Sequence, residues 1–296
     1  MSRPIAIASC EQLPDGDAEV QLLVAALGRL GLAGPVVAWT DPDVDWDSFG
    51  ATVIRSTWDY TVRREEFLAW ADSVPRLHNP PAVLRGNSDK RYLAELAAAG
   101  IPIVPTEFFE PGERPRLPAG TEFVIKPSVG AGSIGAGRFA ADAHGPAAEH
   151  AALLHTFGLT VMVQPYLAGV DAAGETALIF LDGEYSHTVR KSALLAPDSS
   201  YPPGSDELFL TETITPRQPS AAERELAERA HAELARACPD RLLYARIDLL
   251  PSPDGPRLLE AELIEPSLFL DHADGSADRL AAAIAARTAS MIEPPG

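Results

Sequence analysis

Two short runs near the end of the sequence carry its densest chemistry. In residues 243–250 the polar Arg246 and Asp248 alternate with apolar neighbours, and in residues 258–264 Glu260 and Glu262 do the same. Alternation of this kind places each polar pair on one face of a strand. The Pro- and Gly-rich segment 251–256 reverses the chain. A turn centred near Asp254 sets Asp248 opposite Glu260, with β-carbons ~5 Å apart. Three carboxylates on one face, offset only by Arg246, repel one another unless a cation sits among them or a pKa rises. Oxygen donors so spaced suit Mg²⁺, which binds through carboxylates and substrate phosphates. A solvated acidic edge strand is the alternative reading. The flanking Leu, Ile and Tyr residues place the hairpin inside the protein, where unpaired charge is costly, and so favour the metal.

Lysine is the second signal. Only three of the 24 Lys and Arg residues are lysine: Lys90, Lys126 and Lys191. Arginine serves wherever any cation will do, so these three mark positions that need a compact ammonium able to dock on phosphate oxygens. Lys90 follows Asn87-Ser88-Asp89 and opens an expected helix. Lys126 ends a strand just before a glycine-rich loop, and Lys191 follows Arg190 in a basic pair. That loop, 130–137, contains G-x-G-x-x-G at Gly130, Gly132 and Gly135. A dinucleotide fingerprint would continue into an apolar helix and reach an acidic strand end about 20 residues on, and neither follows. The loop reads instead as a flexible flap whose N–H groups, with Ser133, can close over phosphates.

These groups need a scaffold. At 296 residues with 46% hydrophobic content, the chain is globular and long enough for two or three domains. The formal charge of −18 argues against nucleic acid or an anionic membrane as partner. Cys10 and Cys238 have no metal or redox spacing, and no apolar run is long enough to span a bilayer, so a cytoplasmic protein is expected. Residues 5–9, 36–39 and 51–55 read as strands and 18–30 as a helix capped at Asp15–Asp17, together a small parallel α/β layer. A further helix is expected over 63–71, and Pro80-Pro81 is expected to break the chain. Helices over 91–99, 146–154, 220–238 and 276–292, and strands over 123–126, 138–139, 160–164, 176–181, 184–190, 242–250 and 258–264, complete the reading. Asp182-Gly183 is a strong hairpin signal, and 196–204 is a candidate mobile loop.

Taken in order, the two lysines, the flap, the strand into Gln164-Pro165-Tyr166-Leu167 and the late acidic hairpin resemble the ATP-grasp superfamily. Arg55-Ser56-Thr57-Trp58-Asp59-Tyr60, Asp89-Lys90-Arg91-Tyr92-Leu93, Gly174-Glu175-Thr176, Ser186-His187-Thr188-Val189-Arg190-Lys191 and Glu265-Pro266-Ser267-Leu268-Phe269-Leu270 are similar to the group around the O-ureidoserine cyclo-ligase of cycloserine biosynthesis. The resemblance runs through essentially the whole chain. It implies an α/β (α+β) ATP-grasp fold. An N-terminal parallel α/β substrate domain (1–84) would precede a central subdomain (85–165) and a C-terminal one (166–296), the last two gripping ATP.

It also implies roles. Lys90, Lys126, Gly132 and Ser133 would meet the ATP phosphates, Gln164 to Leu167 would meet adenine, and Glu175 the nucleotide or its ribose. Asp248, Glu260 and Glu262 would hold Mg²⁺, although the superfamily pattern ends Glu-x-Asn and this chain ends Glu-x-Glu. Arg190, Lys191 and Arg246 would neutralise the transferred phosphoryl group. Arg55 would clamp the carboxylate of a small amino-acid-like substrate, with Trp58, Asp59 and Tyr60 lining its pocket. The expected activity is ATP-dependent ligation through an acyl phosphate, closing a ring in one molecule. A ligase joining two amino-acid-like substrates, a non-catalytic ATP-binding module and a dinucleotide-dependent dehydrogenase are the alternatives. A homo-oligomer is compatible with the sequence.

Overall fold

The computed structural model describes residues 3–201, 212–238 and 240–292. Its first layer contains β1 (Ile5–Ser9), α1 (Ala18–Arg29), β2 (Val36–Ala38), β3 (Ala51–Ile54), α2 (Arg64–Ser73) and β4 (Leu77–His78). The strands form a parallel sheet in the order β2-β1-β3-β4. β1 and β3 are buried at every position, so their sequences run apolar without alternation. Asp17 caps α1 by accepting the N–H of Val20.

Helices α3 (Pro81–Asn87) and α4 (Tyr92–Ala98) follow. Pro81 does not break the chain. It opens α3, where a missing N–H costs nothing. Asn87 is therefore the end of a helix and not a cap. Lys90 lies in the link before α4, with its backbone N–H donating to the Ser128 carbonyl at 2.8 Å.

The second sheet is antiparallel, built from β5 (Glu107–Phe109), β6 (Phe123–Pro127), β7 (Gly137–Phe139) and, after α5 (His144–Thr156), β8 (Val161–Pro165), in the order β5-β8-β6-β7. Phe123 and Ile125 of β6 pack with Ala147, Ala151 and Leu154 of α5, which leaves Val124 and Lys126 for the opposite face. The third part contains α6 (Gly169–Ala173), β9 (Glu175–Leu181), β10 (Glu184–Lys191), β11 (Ile214–Pro216), α7 (Ala221–Ala235), β12 (Tyr244–Leu250), β13 (Arg257–Glu262) and α8 (Ser276–Ile292). Its antiparallel sheet runs β11-β10-β9-β12-β13. Asp182 and Gly183, at φ 54° and 79°, turn β9 into β10 as a two-residue hairpin of that sequence should. The three-residue strands β5 and β11 and the five-residue α6 are too short to show periodicity and were not expected. Of the candidate mobile loop, residues 202–204 lie outside the described residues, and Ser199 to Tyr201 pair with the flap.

One apolar core joins the first layer to the third, with Ile5, Leu27 and Val53 packed among Ile179, Tyr244 and Ile284. Among the described residues no helix is long and apolar enough to cross a membrane. Four histidines are buried neutral. Burial lowers the pKa of His150, His187 and His231, and burial with Arg287 lowers His78 to about 4. Among the described residues the Nε2 of His78 has no hydrogen-bond partner. The unfolded chain takes up these protons near pH 6.5 and the native one does not, so stability falls as the pH drops from about 6.5 toward 4. His78 alone accounts for about 3 kcal/mol across that window. Urea midpoints at pH 7.5 and 5 should diverge strongly for the wild type and less for His78→Gln; equal divergence would assign the acid sensitivity elsewhere.

Candidate active site

β13 is the edge strand that carries Glu260 and Glu262, and its outer backbone is held by side chains from the preceding helices. The Tyr92 hydroxyl donates to the Ala261 carbonyl and accepts its N–H, and the Asn87 amide bonds the Ala261 carbonyl and the Leu263 N–H. On its inner side β13 pairs with β12 in the expected register, Asp248 opposite Glu260 and Arg246 opposite Glu262. One carboxylate oxygen from each of Asp248, Glu260 and Glu262 lies within 4.8 Å of the others.

Four cations converge on these acids. The Arg246 guanidinium donates to Asp248 through Nε and Nη2 at 2.9 Å, and to Glu262 through Nη2 at 2.5 Å. The Lys191 ammonium reaches Glu175 at 2.6 Å and Asp248 at 3.3 Å, with Glu212 at 3.7 Å. Lys90 donates to the Gly130 carbonyl at 2.7 Å and stands 3.6 Å from Glu260. Lys126 faces the same space with no hydrogen bond or ion pair among the described residues, and burial lowers its pKa.

Burial alone would raise Asp248 and Glu260, but Arg246 and Lys191 outweigh it at the first, and Lys90, Lys126 and Lys191 at the second, so both are held below the usual carboxylate range. Glu262 behaves otherwise. Burial overcomes Arg246, Glu260 and Asp248 add repulsion, and its carboxyl is pushed up to about 7, the mark of a site short of one counter-charge. Three hard oxygen donors with a charge deficit fit Mg²⁺.

Two contiguous cavities meet here. The first, an open cleft of about 1030 Å³ between the second and third sheets, is lined by Lys90, Lys126, flap residues 130–134, hinge residues 164–167, Glu175 and Lys191. Gly135 lets the flap close tightly: its φ is +83°, and a β-carbon would meet Pro127 at 2.9 Å. Arg138 fastens the flap's base to the hinge. It bonds Glu122 and Asp171 and lies 3.5 Å from the Tyr166 ring centre. The second cavity, of about 1730 Å³, opens from the carboxylate cluster toward the first layer and shares Lys90, residues 130–133, Lys191, Glu260 and Glu262 with the cleft.

The candidate residues do not all arrive at this junction. Trp58 and Tyr60 line the second cavity. Arg55 does not: it is 3% exposed, its Nη2 bonds the Pro266 carbonyl at 2.7 Å and lies against Glu19, which places it behind the cavity, while its Nη1 has no hydrogen-bond partner among the described residues. Asp59 also turns away, accepting the indole N–H of Trp39 at 2.9 Å. Arg190 is on the wrong face of β10, where it donates to the carbonyls of Ala172 and Ala173, so Lys191 alone of the basic pair enters the site. Gln164 is turned to Thr106 by a 2.8 Å hydrogen bond. Glu212 and Glu265 line the second cavity; neither belongs to a periodic run, and Glu265 stands out in the sequence only as part of the resembling segment 265–270.

The family model described as "D-cycloserine synthetase DcsG, N-terminal domain" matches residues 5–79. The cycloserine biosynthesis protein DcsG of Streptomyces lavendulae is 38% identical over 285 residues, covering 92% of this chain and 94% of that protein. The crystal structure of D-cycloserine synthetase DcsG superimposes with a TM-score of 0.86 at 35% identity, covering 96% of this chain and 99% of that one. The D-alanine–D-alanine ligase of Bacillus anthracis, complexed with ATP, matches in fold with a TM-score of 0.66 at 13% identity over 98% of both chains. The parallel first layer and the two antiparallel sheets are an ATP-grasp fold, and the chain belongs to the DcsG family of ATP-grasp ligases.

Proposed function

We propose that this ligase activates the carboxylate of a small amino-acid-like substrate as an acyl phosphate and closes it onto a nitrogen of the same molecule, acting as the O-ureido-D-serine cyclo-ligase of D-cycloserine biosynthesis. The observation that carries this reading is the junction of two cavities at one charged cluster, Lys90, Lys191 and Arg246 against Asp248, Glu260 and Glu262. ATP lies in the cleft under the flap, with its phosphates toward Lys126 and Lys90. The second cavity holds the substrate.

A carboxylate oxygen bonds the γ-phosphorus as the bridge to the β-phosphate breaks and ADP leaves. The nitrogen then bonds the acyl carbon, gives up its proton, and phosphate departs. The protein contributes position and charge. Lys126 and Lys90 neutralise the phosphate oxygens, Lys191 and Arg246 the group in flight, and the flap excludes water. Asp248, Glu260 and Glu262 would hold Mg²⁺, which when bound shields the phosphates from these carboxylates.

The test is an ADP-release screen with O-ureido-D-serine, its L-isomer, single amino acids and amino-acid pairs, with products identified by mass. ADP release with O-ureido-D-serine alone, with a cyclic product, is expected. Release that requires two amino acids would replace the reading with an intermolecular ligase. Stoichiometric ATP binding without ADP release would make the chain a binding module.

A further inference from the structure

The second cavity is rich in acids, and nearly all of them are already paired. The Glu19 carboxylate accepts the N–H groups of Leu268 and Phe269 and lies against Arg55. Asp17 accepts from Val20, and Asp271 is bonded to His272. Glu260 and Glu262 face Lys90 and Arg246. Glu265 differs. It is only 6% exposed and lines the cavity, yet among the described residues its carboxylate has no hydrogen bond or ion pair to another residue.

Tyr60 lines the same cavity. Its ring is packed against Phe67, with centroids 5.0 Å apart, it is 5% exposed, and among the described residues its hydroxyl has no hydrogen-bond partner. A carboxylate and a hydroxyl that line one cavity without a protein partner among the described residues are placed for a ligand to complete. Burial, reinforced by Glu262 and only partly offset by Lys90, its own N–H and Arg246, pushes the Glu265 carboxyl up to about 8.

We infer that Glu265 and Tyr60 form the subsite for the substrate's α-ammonium group, and so set the enzyme's requirement for an α-amino acid. This rests on the reading of the second cavity as the substrate site. An α-ammonium sits one carbon from the carboxylate being activated, so its acceptor must stand beside the reacting end. Glu265 follows the metal-face residue Glu262 by three positions. The Leu268 and Phe269 amides held by Glu19, the Ser267 carbonyl held by Arg246 and the Pro266 carbonyl held by Arg55 fix the loop that presents it.

The experiment compares kcat/KM for O-ureido-D-serine with that for the analogue in which the α-amino group is replaced by hydrogen, in the wild type, Glu265→Gln and Tyr60→Phe. A buried charged hydrogen bond predicts a wild-type preference on the order of 100-fold or more for the amine. Glu265→Gln should cut that preference to under about 10-fold by raising the KM for the amine while leaving the KM for ATP unchanged. Tyr60→Phe, which removes one oxygen from a packed ring, should cut it roughly 3- to 10-fold. An unchanged preference in both variants, or an equal loss with both substrates, overturns the assignment while leaving the ligase reading intact. A wild type that releases no ADP with either compound overturns the ligase reading, and this assignment with it.

Discussion

Lys126→Met is expected to abolish most turnover while leaving the protein as stable as before, or more stable. The two effects have one cause. Lys126 is the penultimate residue of β6 and lines the cleft, and among the described residues it makes no hydrogen bond or ion pair, although its charge helps to hold Glu260 ionised. In the free protein this is a desolvated cation, which burial makes easier to deprotonate. Methionine keeps the length of the stem and removes the unpaired charge, so the thermal midpoint should hold or rise. With nucleotide bound the same ammonium faces phosphate oxygens in a cavity of low dielectric. Removing one partner of such a buried pair costs on the order of 2–5 kcal/mol, so kcat/KM for ATP should fall roughly 30- to 4000-fold. Lys90→Met differs in sign on stability, because Lys90 already bonds Gly130 and approaches Glu260. Substrate-dependent ADP release and thermal midpoints on both variants decide the matter; a Lys126→Met enzyme that keeps wild-type release would remove Lys126 from the site.

Much of this architecture was legible because alternation and turn chemistry are local. Alternation set Asp248 and Glu260 on one face and they do stand opposite each other, but the register beside the turn is one residue away from a centre at Asp254, and a bulge between Asp248 and Leu249 restores it. The choice between Arg190 and Lys191 was not legible. Counting outward from Asp182-Gly183 sets Arg190 opposite Glu175, on the cavity face. A bulge between Tyr185 and His187 shifts the register by one, so Lys191 stands opposite Glu175 and Arg190 turns to the other face. Nothing in the sequence marks that bulge.

The placement of Arg55 is hidden from the sequence for a different reason. A strand-end arginine beside an aromatic pair looks the same whether it meets a ligand or a carbonyl, and the carbonyl that claims it belongs to Pro266, 211 residues away. Glu265 lies past the end of β13, so no period points to it, and only its place in a resembling segment marks it. Local pattern therefore reveals the strands and the carboxylate face. Long-range packing decided which charges were already spent, and hence which groups stayed open for a ligand.

Arg246 offers the sharpest test of how charge is shared in the carboxylate cluster. Its guanidinium holds Asp248, which is 0% exposed, and Glu262, while Lys191 is 3.3 Å from Asp248. Arg246→Ala leaves Asp248 with that one longer contact and Glu262 with none among the described ion pairs. Breaking a buried pair on one side costs about 3–5 kcal/mol, so the metal-free variant should be strongly destabilised. Arg246→Lys restores a charge but not the fork that serves two carboxylates at once, so it should recover part of the stability and little of the activity. If the same acids hold Mg²⁺, the variant has more to gain from it than the wild type. Millimolar Mg²⁺ should then raise the denaturation midpoint of Arg246→Ala well beyond its effect on the wild type, and Glu260→Gln in the same background should erase the difference. Equal Mg²⁺ stabilisation of wild type and Arg246→Ala would mean that guanidinium and metal do not share these carboxylates, and the metal would have to be sought on other oxygens.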